Sequence, residues 1–157
     1  MIEASTMNNI STALLFACLA FAPLPAHPAS DGSTHRFVEV GDAKLYVQTF
    51  GHGAPILFLH GGMTYFDNSF AKQQDYPASY RTVIGIDQRG HGHSPDGSWS
   101  LYQGMAADSV AIIEQLGLGP LDIVGHSDGA DIALLVARAV GRKVRDNCRL
   151  ATAVVSR

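Results

Sequence analysis

The chain is poor in cysteine, poor in charge, and without a lysine or arginine over its first thirty-five residues. Cys18 and Cys148 are its two cysteines, and they lie at opposite ends of the sequence. Removal of the segment that holds Cys18 would leave one thiol, which excludes an intrachain disulfide framework. No histidine neighbours Cys148, so nothing marks it as a catalytic thiol. Charged residues make up 16% of the chain against 46% hydrophobic, which excludes an intrinsically disordered protein. With a formal net charge of −3 and no large basic patch, nucleic acid is not an expected partner. A length of 157 residues suits one domain with its own core.

The missing lysine and arginine matter most at the N-terminus. Ile10 to Ala22 is almost wholly apolar, and Pro23 to Ser30 is rich in small residues and proline. The apolar run is short for a bilayer span. Residues 1–29 read as an export signal, cleaved after Ala26 or Ala29, that sends the chain to the periplasm or outside the cell. The signal is atypical because it lacks a basic start and carries Glu3. An unprocessed N-terminal helix is the alternative, and Met7 is an alternative start.

Glycine is plentiful, with 16 residues, and it punctuates the apolar runs. Arg36 to Val40 and Lys44 to Phe50 read as strands joined at the Gly41-Asp42 turn. Pro55 to Leu59 and Arg81 to Ile86 are continuous apolar runs, as in strands buried on both faces. Leu101 to Leu116 has Met105, Val110, Ile113 and Leu116 at broadly helical spacing, and Gly117 and Gly119-Pro120 stop it. Leu121 to Val124 is a further strand and Ala130 to Val140 a further helix. This alternation predicts an α/β fold over residues 34–140, a mostly parallel sheet with flanking helices.

Residues 141–157 form an atypical basic tail. Arg138 to Arg157 holds six of the eleven basic residues. A basic helix end complements the helix dipole, and Leu150 to Val155 could form one short strand. A broken reading frame or a truncation after the preceding helix is the competing reading.

Three segments follow the three apolar strands. The first is His60-Gly61-Gly62-Met63. The second is Asp87-Gln88-Arg89-Gly90-His91-Gly92-His93-Ser94. The third is Gly125-His126-Ser127-Asp128-Gly129, a G-x-S-x-G between a strand and a helix. In that context the glycines clear a sharp turn and the serine hydroxyl is lifted toward a substrate. All three lie where open α/β sheets build their sites. His91 and His93 near Asp87 could suggest a metal, but no third ligand stands out and none is expected. No cofactor is expected either.

Together these segments resemble the α/β-hydrolase family, in its esterase-like and lysophospholipase-like branch, over roughly Val38 to Ala139. The resemblance implies Ser127 as nucleophile on a small acyl substrate. It implies backbone N–H groups of Asp128 and Gly62, or Met63 in place of Gly62, as oxyanion donors. It implies architectural roles for His60, Asp87 and Arg89. Epoxide hydrolase and dehalogenase chemistry is disfavoured, because those relatives place aspartate at the elbow. Tyr65, Phe66, Phe70, Trp99 and Tyr102 could line an acyl pocket or pack the core.

The same family orders its triad as serine, acid, histidine along the chain. None of the seven histidines here follows Ser127, and Asp146 is the one acid beyond the elbow helix. The expectation is therefore a serine hydrolase with an incomplete triad. The alternatives are a non-catalytic fragment or binding module, or a base supplied by a second chain. A sheet cut short after the elbow helix would also leave an edge open to self-association.

Overall fold

The computed structural model describes residues 33–95, 101–143 and 149–152. Residues 1–29, expected above to be an export signal, and Trp99, Asp146 and Cys148 lie outside the described residues.

The hairpin forms where the turn signal placed it. β1 (Thr34–Val40) and β2 (Ala43–Gly51) pair antiparallel from Val40↔Ala43 to Thr34↔Thr49. β3 (Pro55–Leu59) and β4 (Thr82–Ile86) are the two apolar runs. Leu57, Leu59, Ile84 and Ile86 are fully buried, as two-sided coverage requires. Between them lie two short helices, α1 (Phe66–Phe70) and α2 (Asp75–Ala78). α3 (Tyr102–Gln115), β5 (Asp122–Gly125) and α4 (Asp128–Lys143) follow, then β6 (Arg149–Thr152).

The six strands lie in the order β1-β2-β4-β3-β5-β6. β4, β3, β5 and β6 run parallel, and the hairpin joins them antiparallel through β2. The sheet is thus mixed, with a parallel body served by helical crossovers and an antiparallel margin served by a tight turn. It does not stop at the elbow helix. β6 pairs with β5 in parallel, Asp122↔Arg149 to Gly125↔Thr152, so part of the basic tail is sheet.

Two apolar clusters hold the layers. Leu45, Val47, Leu57 and Ile84 meet Val110 and Ile113 of α3 and Ile132 and Val136 of α4 in the main core. A smaller cluster gathers Phe58, Val83, Phe66 and Phe70. Phe66 and Phe70 are therefore core residues, not pocket lining. Each such side chain contributes roughly 1.5–3 kcal/mol by leaving water. At the base of the sheet Arg81 bridges Asp122 at 2.7 Å and donates to the Ala54 and Pro55 carbonyls, tying the starts of β3, β4 and β5.

Candidate active site

The turn between β5 and α4 reverses the chain in two residues, His126 and Ser127. Ser127 takes φ of 53°, a left-handed conformation that a side chain resists by roughly 1 kcal/mol or more. Two hydrogen bonds hold it there: Gly129 N–H to the His126 carbonyl at 2.9 Å, and Ala130 N–H to the Ser127 carbonyl at 2.7 Å. The N–H of Asp128 takes part in neither. Gly125 and Gly129 make the reversal possible. A Cβ on Gly125 would meet the Gly129 carbonyl, and one on Gly129 would meet the carbonyls of Leu59 and His60. Ser127 itself is exposed.

The loop after β3 lies against this turn. The His126 N–H donates to the Leu59 carbonyl at 3.1 Å, carrying the β3–β5 pairing into the elbow. A Cβ added to Gly61 would stand 3.1 Å from the Ser127 Cβ, and one on Gly62 would stand 2.5 Å from Asp128 Oδ2. The structure thus brings Gly62, Ser127 and Asp128 together. Met63 follows at φ 57° with its side chain wholly exposed.

His60 is buried beneath the loop. Its Nδ1 bonds the Gly61 carbonyl at 2.7 Å and its Nε2 the Gln88 N–H at 2.8 Å. Burial lowers its pKa below 6.5, opposed by the Gly61 bond and helped by nearby His91. His126 is exposed, with its ring edge-on to Phe70.

The loop after β4 is held by two acids. Asp87, fully buried, accepts the Phe66 N–H on one oxygen. Its other oxygen takes the His93 N–H and ring, each at 2.9 Å. Arg89 grips Asp108 of α3 with two nitrogens, at 2.5 and 2.9 Å, and Asp42 of the hairpin turn at 2.8 Å. These bonds raise its pKa. His91 bonds the Arg89 carbonyl at 2.8 Å. Asp87, Arg89, His91 and His93 thus each hold another part of the loop or an adjacent element.

Sequence reasoning gave Gln88 no role of its own and offered Tyr102 as pocket lining or core, without its pairing to Asp128. Gln88 is 1% exposed, and neither carboxamide atom has a hydrogen-bond partner among the described residues. Tyr102 and Asp128 line one small recess, and the acid raises the tyrosine pKa. The partner of Arg89 could have been sought, because Asp108 sits among apolar positions of α3. The Tyr102–Asp128 contact joins residues far apart in sequence and left no local signal.

The model of the alpha/beta hydrolase fold matches residues 54–149, which include all three loops and the strands that carry them. This chain belongs to the α/β hydrolase family. It is 40% identical over 97 residues to the sn-1-specific diacylglycerol lipase ABHD11 of Mus musculus, covering 62% of this chain and 29% of that protein. It is 34% identical over 122 residues to a non-heme haloperoxidase of Rhodococcus erythropolis, covering 73% and 39%. An esterase from Exiguobacterium antarcticum matches this α/β hydrolase with a TM-score of 0.68 at 31% identity, over 76% of this chain and 45% of that one. A putative epoxide hydrolase of Pseudomonas aeruginosa matches with a TM-score of 0.66 at 25% identity, over 75% and 41%. The chain spans 29–39% of the length of these curated relatives.

Proposed function

We propose that Ser127 is the nucleophile of a hydrolase of carboxylic esters or related acyl bonds, with the N–H groups of Asp128 and Gly62 as oxyanion donors. The observation that carries this reading is the backbone of Ser127. A plain turn would place glycine or asparagine at φ 53°. Here a serine is held there by bonds and close packing on both sides, with its side chain exposed. An elbow aspartate, which epoxide opening in this family would use, is absent; Asp128 comes one residue later.

In the step proposed, the Ser127 Oγ bonds the acyl carbon as its proton leaves to a base. The carbonyl electrons move onto oxygen, where the two N–H groups receive them. The tetrahedral adduct collapses, the alcohol departs with a proton, and water repeats the sequence on the acyl-serine. Among the described histidines, His60 and His93 are bound to other groups and His91 to a carbonyl. No histidine follows Ser127 in this sequence. We therefore assign these residues the nucleophile and oxyanion half of the machinery. Acting without a triad base, they would keep roughly 10³–10⁴-fold over water.

Chemical rescue tests this. Hydrolysis of p-nitrophenyl acetate should rise more steeply with added imidazole in the wild-type chain than in Ser127→Ala. Equal slopes would leave a binding role without turnover. Two lesser readings are proposed with it. Residues 1–29 direct export, which the N-terminal sequence of secreted protein tests. The outer edge of β6 permits self-association, which sedimentation at increasing concentration tests.

A further inference from the structure

A recess of about 40 Å³ opens beside the elbow, lined in part by Gly62, Gln88, His91, Tyr102 and Asp128. It is the size of one water-sized group and too small for an acyl chain. Asp128 presents a carboxylate there, over Gly62. Among the described residues no base forms an ion pair with it, and Tyr102 lines the recess beside it. Asp131, one turn along α4, adds negative charge near Tyr102.

Gln88 is the second, independent observation. Its buried carboxamide lines the same recess and has no partner among the described residues. Leaving such a group unsatisfied is costly unless something binds to it. Asp128 raises a separate difficulty. A carboxylate beside the proposed oxyanion donors opposes the charge that they would receive. A positive group brought by the substrate reverses that effect. A carboxylate, a carboxamide oxygen and a phenol oxygen around a water-sized space match an ammonium, which has three donors and no acceptor.

We propose that this recess is a subsite for an ammonium group a few bonds from the scissile carbonyl, with Asp128 as its ion-pair partner and the Gln88 carboxamide as a second acceptor. The substrate class is then an ester that carries the amine on its acyl or its alcohol part. This deepens the Ser127 reading and rests on it, but the test needs no turnover.

Calorimetric titration of Ser127→Ala compares three probes below neutral pH. They are valine methyl ester, methyl 3-methylbutanoate, and 2-aminoethyl 3-methylbutanoate. The first and third carry the ammonium on the acyl and alcohol sides, and the second is neutral. One ammonium ester should bind about tenfold or more tightly than the neutral ester, and which one assigns the side. The preference should vanish when Asp128→Asn is added and shrink about threefold when Gln88→Leu is added. Equal binding, no measurable binding by any probe, or a preference that survives Asp128→Asn overturns the subsite. The imidazole-rescue comparison uses a neutral ester, so failure of the subsite and failure of the nucleophile remain separable.

Discussion

The Nε2 of His60 accepts the main-chain N–H of Gln88 at 2.8 Å, joining the loop after β3 to the loop after β4. A main-chain N–H can only donate, so Nε2 is unprotonated. The ring proton sits on Nδ1 and points at the Gly61 carbonyl, 2.7 Å away. The imidazole is a neutral bracket, and protonation would break one of its two bonds.

The pH dependence follows from that geometry. Burial lowers the His60 pKa in the fold below the 6.5 of the unfolded chain. Between those two values the unfolded state binds more protons, so stability falls as pH drops through about 6.5. Melting temperatures between about pH 7.5 and 5.5 should fall more steeply in the wild type than in His60→Gln. At neutral pH that variant should lose about 1–3 kcal/mol. Parallel pH profiles would contradict the bracket.

Relief of strain at the elbow should stabilise the protein. Ser127→Gly removes the Cβ from a residue at φ 53° and should raise unfolding free energy by about 1 kcal/mol in urea titrations. The same variant should lose all Ser127-dependent chemistry. A drop in stability would mean that the serine side chain makes contacts that outweigh the backbone cost.

Two glycines of one helix should respond in opposite directions. Gly129→Ala drives a Cβ into the carbonyls of Leu59 and His60 and should destabilise by about 3 kcal/mol or more. Around a Cβ on Gly141, near the end of α4, nothing lies within 4 Å, so Gly141→Ala should gain about 0.5–1 kcal/mol. Equal shifts in melting temperature would refute the close approach at the elbow.

Arg89 should not tolerate lysine. Its fork holds both oxygens of Asp108, whose side chain is 5% exposed, and also reaches Asp42. A lysine keeps the charge but loses the paired geometry, at about 1–2 kcal/mol in urea titrations. Arg89→Met leaves Asp108 buried and unpaired and should cost about 3–5 kcal/mol. A lysine variant as stable as wild type would show that charge alone suffices.

The elements legible in the sequence were those with dense local signals. Pro55 to Leu59 carries its bounds in a proline, an apolar run and a glycine-rich loop, and the strand occupies those residues. α1 and α2 went unread because helices of five and four residues hold too few turns for a 3.6-residue period to show. β6 was blurred by the basic residues around it. The elbow was legible because one short motif encodes the turn, and the structure holds Ser127 at positive φ. What remained hidden was long-range: the placing of β4 between β2 and β3, the Arg89 grip on α3, and the polar recess made by Gln88, Tyr102 and Asp128. Such contacts depend on how layers stack, which no local pattern encodes.

The most direct measurement is intact and peptide mass after exposure of the folded chain to a fluorophosphonate, with imidazole as an external base. A single phosphonyl adduct on the peptide that contains Ser127, formed faster with imidazole and absent from Ser127→Ala, is the expected result. A folded chain that stays unmodified, or carries its adduct on another residue, would contradict the assignment of Ser127 as the nucleophile.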